Sequence, residues 1–249
     1  LNVEIAIIED ALVIKKYEKQ KGSYFMQPIG YKKESLKGII EKLREFKAND
    51  VSFKNLFRDI ELPFLYKLMD LYDGNVCLCE DINNFDYIYN AEDLISLSGK
   101  KFHKKKNHYN QFVGSYNYEI KDISEPGVVK DCLEFSQFWY ENRQEDDVQL
   151  EYELESINEI LPQYRVLDLK CMAVYVDGKI AGFTVGEKVN SNMAIIHVEK
   201  GDFNYNGIYA FINKTFAERY LSDVKYINRQ EDLGLKGLRN AKKSYNPVK

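Results

Sequence analysis

The chain predicts a mixed α+β fold made of two tandem domains, each a mostly antiparallel sheet flanked by helices, on three observations. The second half reads strand, turn, strand, turn, strand, with Asp177-Gly178 and residues 190–192 as the turns. A helix, a strand and a helix follow, because Ile208, Phe211, Ile212, Thr215 and Phe216 recur on one face at helical spacing. The first half repeats the βββαβα order without repeating its residues, which points to architectural duplication.

Taken in order, strands are expected from Val3 to Ile8, Ala11 to Tyr17 and Tyr24 to Gln27. A helix is expected from Glu34 to Phe46, where Leu36, Ile39, Ile40, Leu43 and Phe46 keep helical spacing. Val51 to Leu56, Pro63 to Leu71 and Val76 to Glu80 then supply a strand, a helix and a strand. Ala91 to Val113 is expected as a helical linker, and Val128 to Arg143 and Gln149 to Ile160 as two helices that open the second copy. Strands from Lys170 to Val176, Lys179 to Gly186 and Met193 to Val198 form its meander. A helix from Ile208 to Tyr220, a strand from Val224 to Ile227 and a helix from Leu235 to Lys243 complete it. The expected domains are therefore 1–113, with the linker 91–113 included, and 114–249.

With 45% hydrophobic and 14% aromatic residues, 249 residues supply enough apolar surface for one large or two small cores. No apolar run approaches the ~20 residues that cross a bilayer. No charged-then-apolar leader precedes Val3, so a cytoplasmic protein is expected. A net charge of -4 argues against a surface that coats nucleic acid throughout, yet the charge is uneven. Acid gathers at Glu145, Asp146, Asp147, Glu151, Glu153, Glu155 and Glu159, and base gathers in 100–106 and near the C-terminus. Local patches of this kind decide partners. Cys77, Cys79, Cys132 and Cys171 lack metal-pair spacing and read as reduced, buried thiols, with Cys77 and Cys79 on one face of a strand.

Other motifs are set aside on their spacing. His197-x-Glu199 is half of a zinc deaminase signature, but no Pro-Cys-x-x-Cys follows, and His103 and His108 point apart on a helix, so no metal is expected. Gly99-Lys100 lacks the earlier glycine and the Ser/Thr of a phosphate loop, and the sequon Asn213-Lys214-Thr215 falls inside an expected helix.

The densest chemistry lies between Tyr226 and Tyr245. Asn228, Arg229, Glu231 and Asp232 follow a short apolar run, and Gly234 and Gly237 then bracket a turn into a basic helix with Arg239, Lys242 and Lys243. Polar residues at a strand end beside a helix start read as a site.

This segment, YINRQEDLGLKGLRNAKKSY, resembles the C-terminal signature of the phosphatidylglycerol lysyltransferase C-terminal-like family. So do Asp86-Tyr87-Ile88-Tyr89, Glu92-Asp93-Leu94-Ile95 with Gly99 to Lys105, and Ile196 to Lys200. The match departs at Gln230, where the family usually carries Glu, and at Leu1, where it usually has a further N-terminal stretch. The resemblance implies a bacterial protein with two tandem Gcn5-related N-acetyltransferase-like domains. In acyltransferases of that fold the fourth strand splays from its neighbour, and the loop before the next helix binds pyrophosphate. Here that loop is Glu199 to Gly207, and it lacks the Gln/Arg-x-x-Gly-x-Gly/Ala cradle for coenzyme A.

The resemblance implies acyl transfer, with an aminoacyl group moving from aminoacyl-tRNA to an amine or hydroxyl. On that reading Glu199 or Asp232 activates the acceptor as general base, and Arg229 and Asn228 stabilise the oxyanion. Tyr245 protonates the leaving group, while Lys100, Lys101, Lys104 and Lys105 with Arg239 and Lys242 hold the donor's phosphates. Each position also has a plainer reading: an ion pair of Glu199 with Lys200 or Arg229, a core tyrosine, a solvated lysine face. The alternatives are an acetyl-coenzyme A-dependent N-acetyltransferase acting on a small amine or peptide, and a non-catalytic tandem domain that binds RNA or another anionic ligand.

Overall fold

The computed structural model describes residues 2–142 and 148–249. The expected helix end at Arg143 and the acidic residues Glu145, Asp146 and Asp147 lie outside the described residues. Two compact units, Leu1–Glu80 and Asp81–Lys249, make up the chain.

In the first unit, β1 (Asn2–Ile8), β2 (Ala11–Glu18) and β3 (Gly22–Phe25) form an antiparallel meander, and β4 (Phe53–Phe57) joins β3 in parallel. Helix α1 (Leu36–Ala48) makes the connection. Its Ile39 and Leu43 pack on Ala11, Val13, Phe25 and Phe53, while Leu36 and Ile40 meet Phe64 and Leu68 of α2 (Leu62–Leu71). The expected strand from Val76 to Glu80 is extended chain outside any sheet, so Cys77 and Cys79 share no strand and are exposed. Cys132 and Cys171 are the buried pair.

The second unit begins well before the expected boundary after Val113. The reason is β5 (Ile88–Asn90), a three-residue strand that pairs antiparallel with β10 (Tyr226–Asn228) and ties the expected linker into the second sheet. That linker folds as α3 (Ala91–Ser96), a 3-10 turn over Lys100–Phe102 and α4 (His103–Ser115), followed by a further unexpected strand, β6 (Tyr118–Asp122). Helices α5 (Val128–Glu141) and α6 (Val148–Ile160) lead to β7 (Lys170–Val176), β8 (Lys179–Lys188) and β9 (Met193–Gly201). Helix α7 (Ile208–Tyr220) and, after β10, α8 (Lys236–Lys243) complete the unit. The six strands run in the order β5-β10-β9-β8-β7-β6, antiparallel except for β9 beside β10.

Alternation along β7 assigns the two faces of this sheet. Met172, Val174 and Val176 lie with α3, α4 and α7, and Cys171, Ala173 and Tyr175 lie with α5 and α6. Phe211 and Phe216 of α7 are fully buried, each stabilising the core by roughly 1.5–3 kcal/mol. Gly207, the residue before α7, has φ +87, and a Cβ there would lie 2.0 Å from the His108 carbonyl oxygen. Only glycine lets α4 close onto the start of α7.

Candidate active site

A register shift in β9 creates the site. Val185 of β8 pairs with Val198, but the next residue, Gly186, pairs with Ile196, so His197 is an extra residue in the ladder. Ahead of this bulge Ala194 and Ile196 face α7; beyond it Val198 faces the α5 and α6 side. The shift of one residue turns Glu199 toward α7 and Lys200 toward α5 and α6, which is how a bulge re-aims a side chain. Lys200 pairs with Glu153 at 2.6 Å and lies 3.7 Å from the centroid of the Trp139 ring. It is therefore no partner for Glu199.

The ladder between β9 and β10 covers only Met193 to Ile195, opposite Tyr226 to Asn228, whereas β9 runs on to Gly201. Where the two strands part, Arg229 Nη2 donates to Glu199 Oε1 at 2.7 Å. The side chains are 11% and 12% exposed, so this pair is held largely out of water. Asn213 of α7 donates to Glu199 Oε2 at 3.3 Å. The second terminal nitrogen of Arg229, Nη1, is buried and has no hydrogen-bond partner among the described residues. The guanidinium lies 4.8 Å from the Tyr245 ring centroid and 5.7 Å from that of Tyr89. Burial works most strongly against the Arg229 cation, but Glu199 together with Tyr89 and Tyr245 outweighs it and the pKa is raised. Burial holds the Tyr245 phenol protonated, with its pKa pushed up. Lys105, on the inward side of α4, places Nζ 4.1 Å from the same Tyr245 ring centroid.

Glu199, Arg229, Tyr245 and Lys105 thus converge, while Asn228, Asp232, Arg239, Lys242 and Lys101 are engaged elsewhere and Lys100 and Lys104 are exposed. Asn228 donates to Asp86 at 2.7 Å and accepts from the Gln230 backbone N–H at 2.7 Å. That turn supports Gln230 at φ 57, and with the bond to Asp86 it commits the Asn228 side chain to shaping the loop. Asp232 is fully buried, accepting from Arg239 Nε and Nη2, each at 2.7 Å, from the Tyr87 hydroxyl at 2.6 Å and from the Gly234 N–H at 2.9 Å. The Arg239 guanidinium first, helped by Tyr87 and the Gly234 amide against the cost of burial, holds this carboxylate far below its ordinary range. Asp232 is thereby too weak a base for catalysis, and Arg239, which also donates to Asn83, is committed to it.

Lys242 is buried and donates to the carbonyls of Arg229, Gln230 and Glu231, clamping the loop from within rather than facing a phosphate. Burial, then the Arg229 charge, lowers its pKa to about 8. Lys101 pairs with Asp93 at 3.1 Å, and Lys104 is exposed. Lys100 lines an open hollow of about 460 Å³ with Leu97, Gly99, His103 and Lys106, a place that includes neither Glu199 nor Arg229.

Asn213 and the inward turn of Lys105 were not singled out as catalytic signals. A polar residue on the otherwise apolar face of α7 was the sign for the first. Among the described residues no cluster of three or more His, Cys, Asp or Glu could hold a metal, and no helix is long and apolar enough to cross a membrane.

The profile of the family described as phosphatidylglycerol lysyltransferase, C-terminal, matches residues 2–249. The chain belongs to this family. A conserved protein of unknown function from Bacteroides thetaiotaomicron is similar to this chain at 33% identity and a TM-score of 0.85, over 99% of this chain and 82% of that one. An uncharacterised protein of Mycoplasmoides gallisepticum is 29% identical over 212 residues, 85% of this chain. The matched part spans 66% of that relative's length. The structure of L-PGS from Bacillus licheniformis, at 15% identity, shares the fold with a TM-score of 0.66 over 99% of this chain and 81% of its own. The fold class is mixed α+β, two sheets flanked by helices.

Proposed function

We propose that this chain is an acyltransferase that moves an aminoacyl group from aminoacyl-tRNA to an amine or hydroxyl acceptor. The observation that carries the reading is the unfilled Nη1 of Arg229, a buried donor held beside Glu199 where β9 and β10 part. Attack of the acceptor on the ester carbonyl carbon forms a new C–N or C–O bond and puts negative charge on the carbonyl oxygen; the ester C–O bond then breaks. A fixed guanidinium N–H in a dry site stabilises that charge without reorganising. Glu199 holds the guanidinium in place, and the Tyr245 and Tyr89 rings support it. The exposed cations Lys100, in the 3-10 turn, and Lys104, at the start of α4, meet the phosphates of the donor.

The start of α7 supports a coenzyme A donor less well. The amide of Asn204 bonds to Asp202 Oδ1, those of Tyr205 and Ile208 to loop carbonyls, and that of Asn206 to the Tyr116 hydroxyl. These backbone donors are already engaged, whereas a pyrophosphate cradle needs them free.

Thermal unfolding of the purified chain with bulk aminoacyl-tRNA, acetyl-coenzyme A or coenzyme A tests the donor, because a ligand that binds only the folded state raises the midpoint. A rise with charged tRNA alone, together with transfer of a radiolabelled aminoacyl group, is expected. A rise with coenzyme A species alone would replace this reading with N-acetyl transfer, and salt-sensitive RNA binding without turnover would replace it with a binding domain.

A further inference from the structure

Resting on the acyl-transfer reading above, we propose that Lys105, in its neutral form, is the catalytic residue that takes the proton from the acceptor and returns it to the leaving ribose oxygen. The other titratable groups of the site are excluded by their bonds. Glu199 has Arg229 on one oxygen and Asn213 on the other, so both carboxylate oxygens are already bonded. Asp232 is saturated by Arg239, Tyr87 and Gly234, and Tyr245 is a buried phenol kept protonated.

Lys105 differs from all three. It is half-buried, and among the described residues its Nζ has no hydrogen-bond or carboxylate partner; it lies over the Tyr245 ring that also carries Arg229. The groups that face it are Glu199 from β9, Arg229 from the end of β10 and Tyr245 after α8, with Tyr89 of β5 beneath Arg229. About one turn away on either side, Lys101 of the 3-10 turn is turned to Asp93 and Tyr109 of α4 stacks on Phe211. An amine placed in partial burial beside a second cation favours the neutral form. Burial first, then Arg229, bring the Lys105 pKa down to about 8, with Glu199 opposing.

The proton balance closes on one nitrogen. As the acceptor amine or hydroxyl attacks the ester carbonyl, its proton passes to the Lys105 lone pair. As the C–O bond to the ribose breaks, the new ammonium delivers that proton to the departing oxygen, and the lysine ends neutral. A base with a pKa near the working pH serves both halves.

Two measurements on the full chain test this. In the first, lysines are reductively methylated with carbon-13 formaldehyde and titrated by NMR, the Lys105 resonance being assigned by its loss in Lys105→Arg. A midpoint of about 8 that moves upward in Arg229→Met is expected, and an ordinary lysine midpoint overturns the proposal. In the second, transfer from tRNA charged with radiolabelled amino acids is followed against pH, with phosphatidylglycerol vesicles and spermidine as acceptors. The wild-type rate should rise with pH through about 8 and level off, because only the unprotonated amine accepts. Lys105→Met and Lys105→Arg should both lose that limb and turn over about 10²–10⁴-fold more slowly. Lys105→Arg with the wild-type rate would make Lys105 a simple cation and overturn the proposal while leaving acyl transfer standing. A wild-type chain that modifies neither acceptor would count against acyl transfer itself, a failure seen before any variant is made.

Discussion

Two arginine–carboxylate pairs lie within reach of the same short segment, Glu199 with Arg229 and Asp232 with Arg239, each closed at 2.7 Å. The second is complete: Asp232 receives four bonds, two of them from the fork of one guanidinium. The first is not, because Arg229 keeps a buried N–H without a partner among the described residues. A saturated ion pair fixes a loop, and an unsaturated one in a dry place holds bonding capacity for something that arrives later. Distance alone would have ranked the two pairs as equals; counting every donor and acceptor separates scaffold from site.

The sharpest way to break this distinction is Arg229→Lys, which keeps the charge beside Glu199 and removes the second N–H. Transfer should fall by about 10²–10³ while circular dichroism and the unfolding midpoint stay close to wild type. Unchanged turnover would put the two pairs back on one footing. Asp232→Asn should show the opposite signature, a stability loss of roughly 3 kcal/mol in urea unfolding with little change in turnover per folded molecule. Tyr87→Phe removes one of the four bonds to Asp232 and should cost about 1.5 kcal/mol by the same measurement.

Protonation sharpens the comparison further. The Asp232 carboxylate has a lowered folded pKa, so its contribution is present above the ordinary value of 3.8 and is lost as the pH falls through the folded value. Lys242 acts at the other end of the scale. Between about 8 and its ordinary 10.5 the unfolded chain binds this proton and the folded chain does not, so stability should rise with pH across that window. Lys105 adds a slope of the same sign in this window, so urea midpoints should show a reduced slope in Lys242→Met and a flat profile once Lys105→Met is added. The smallest effect is expected from Tyr245→Phe, which keeps the ring under Arg229 and Lys105; a collapse of turnover in that variant would restore the hydroxyl as the proton donor.

The sequence made the second unit's fold readable wherever periodicity was long. The helix expected from Ile208 to Tyr220 has those bounds, and β7 and the start of β8 fall where the turn at Asp177-Gly178 puts them. Three-residue strands carry no period, so β5 and β10 were missed or displaced, and with β5 went the unit boundary. Glu199, Arg229 and Tyr245 were legible as chemistry at element ends. Their exclusion of Asn228 and Asp232 was not, because it depends on which lone pairs Gln230, Arg239 and Tyr87 fill. The bulge at His197 is equally silent in the sequence, where one extra residue among apolar neighbours leaves no mark, yet it decides the face on which Glu199 stands.

The β5–β10 pairing also sets a schedule for biosynthesis. The strands of the first unit find their partners among neighbours made within moments of one another. Glu199, by contrast, is made before Arg229, and the free side of β5 waits for β10 and for Val248 and Lys249, whose backbones bond to Ile88. Until those residues leave the ribosome, the sheet of the nascent chain has an open edge, and an unpaired edge is where a partly made chain is prone to aggregate.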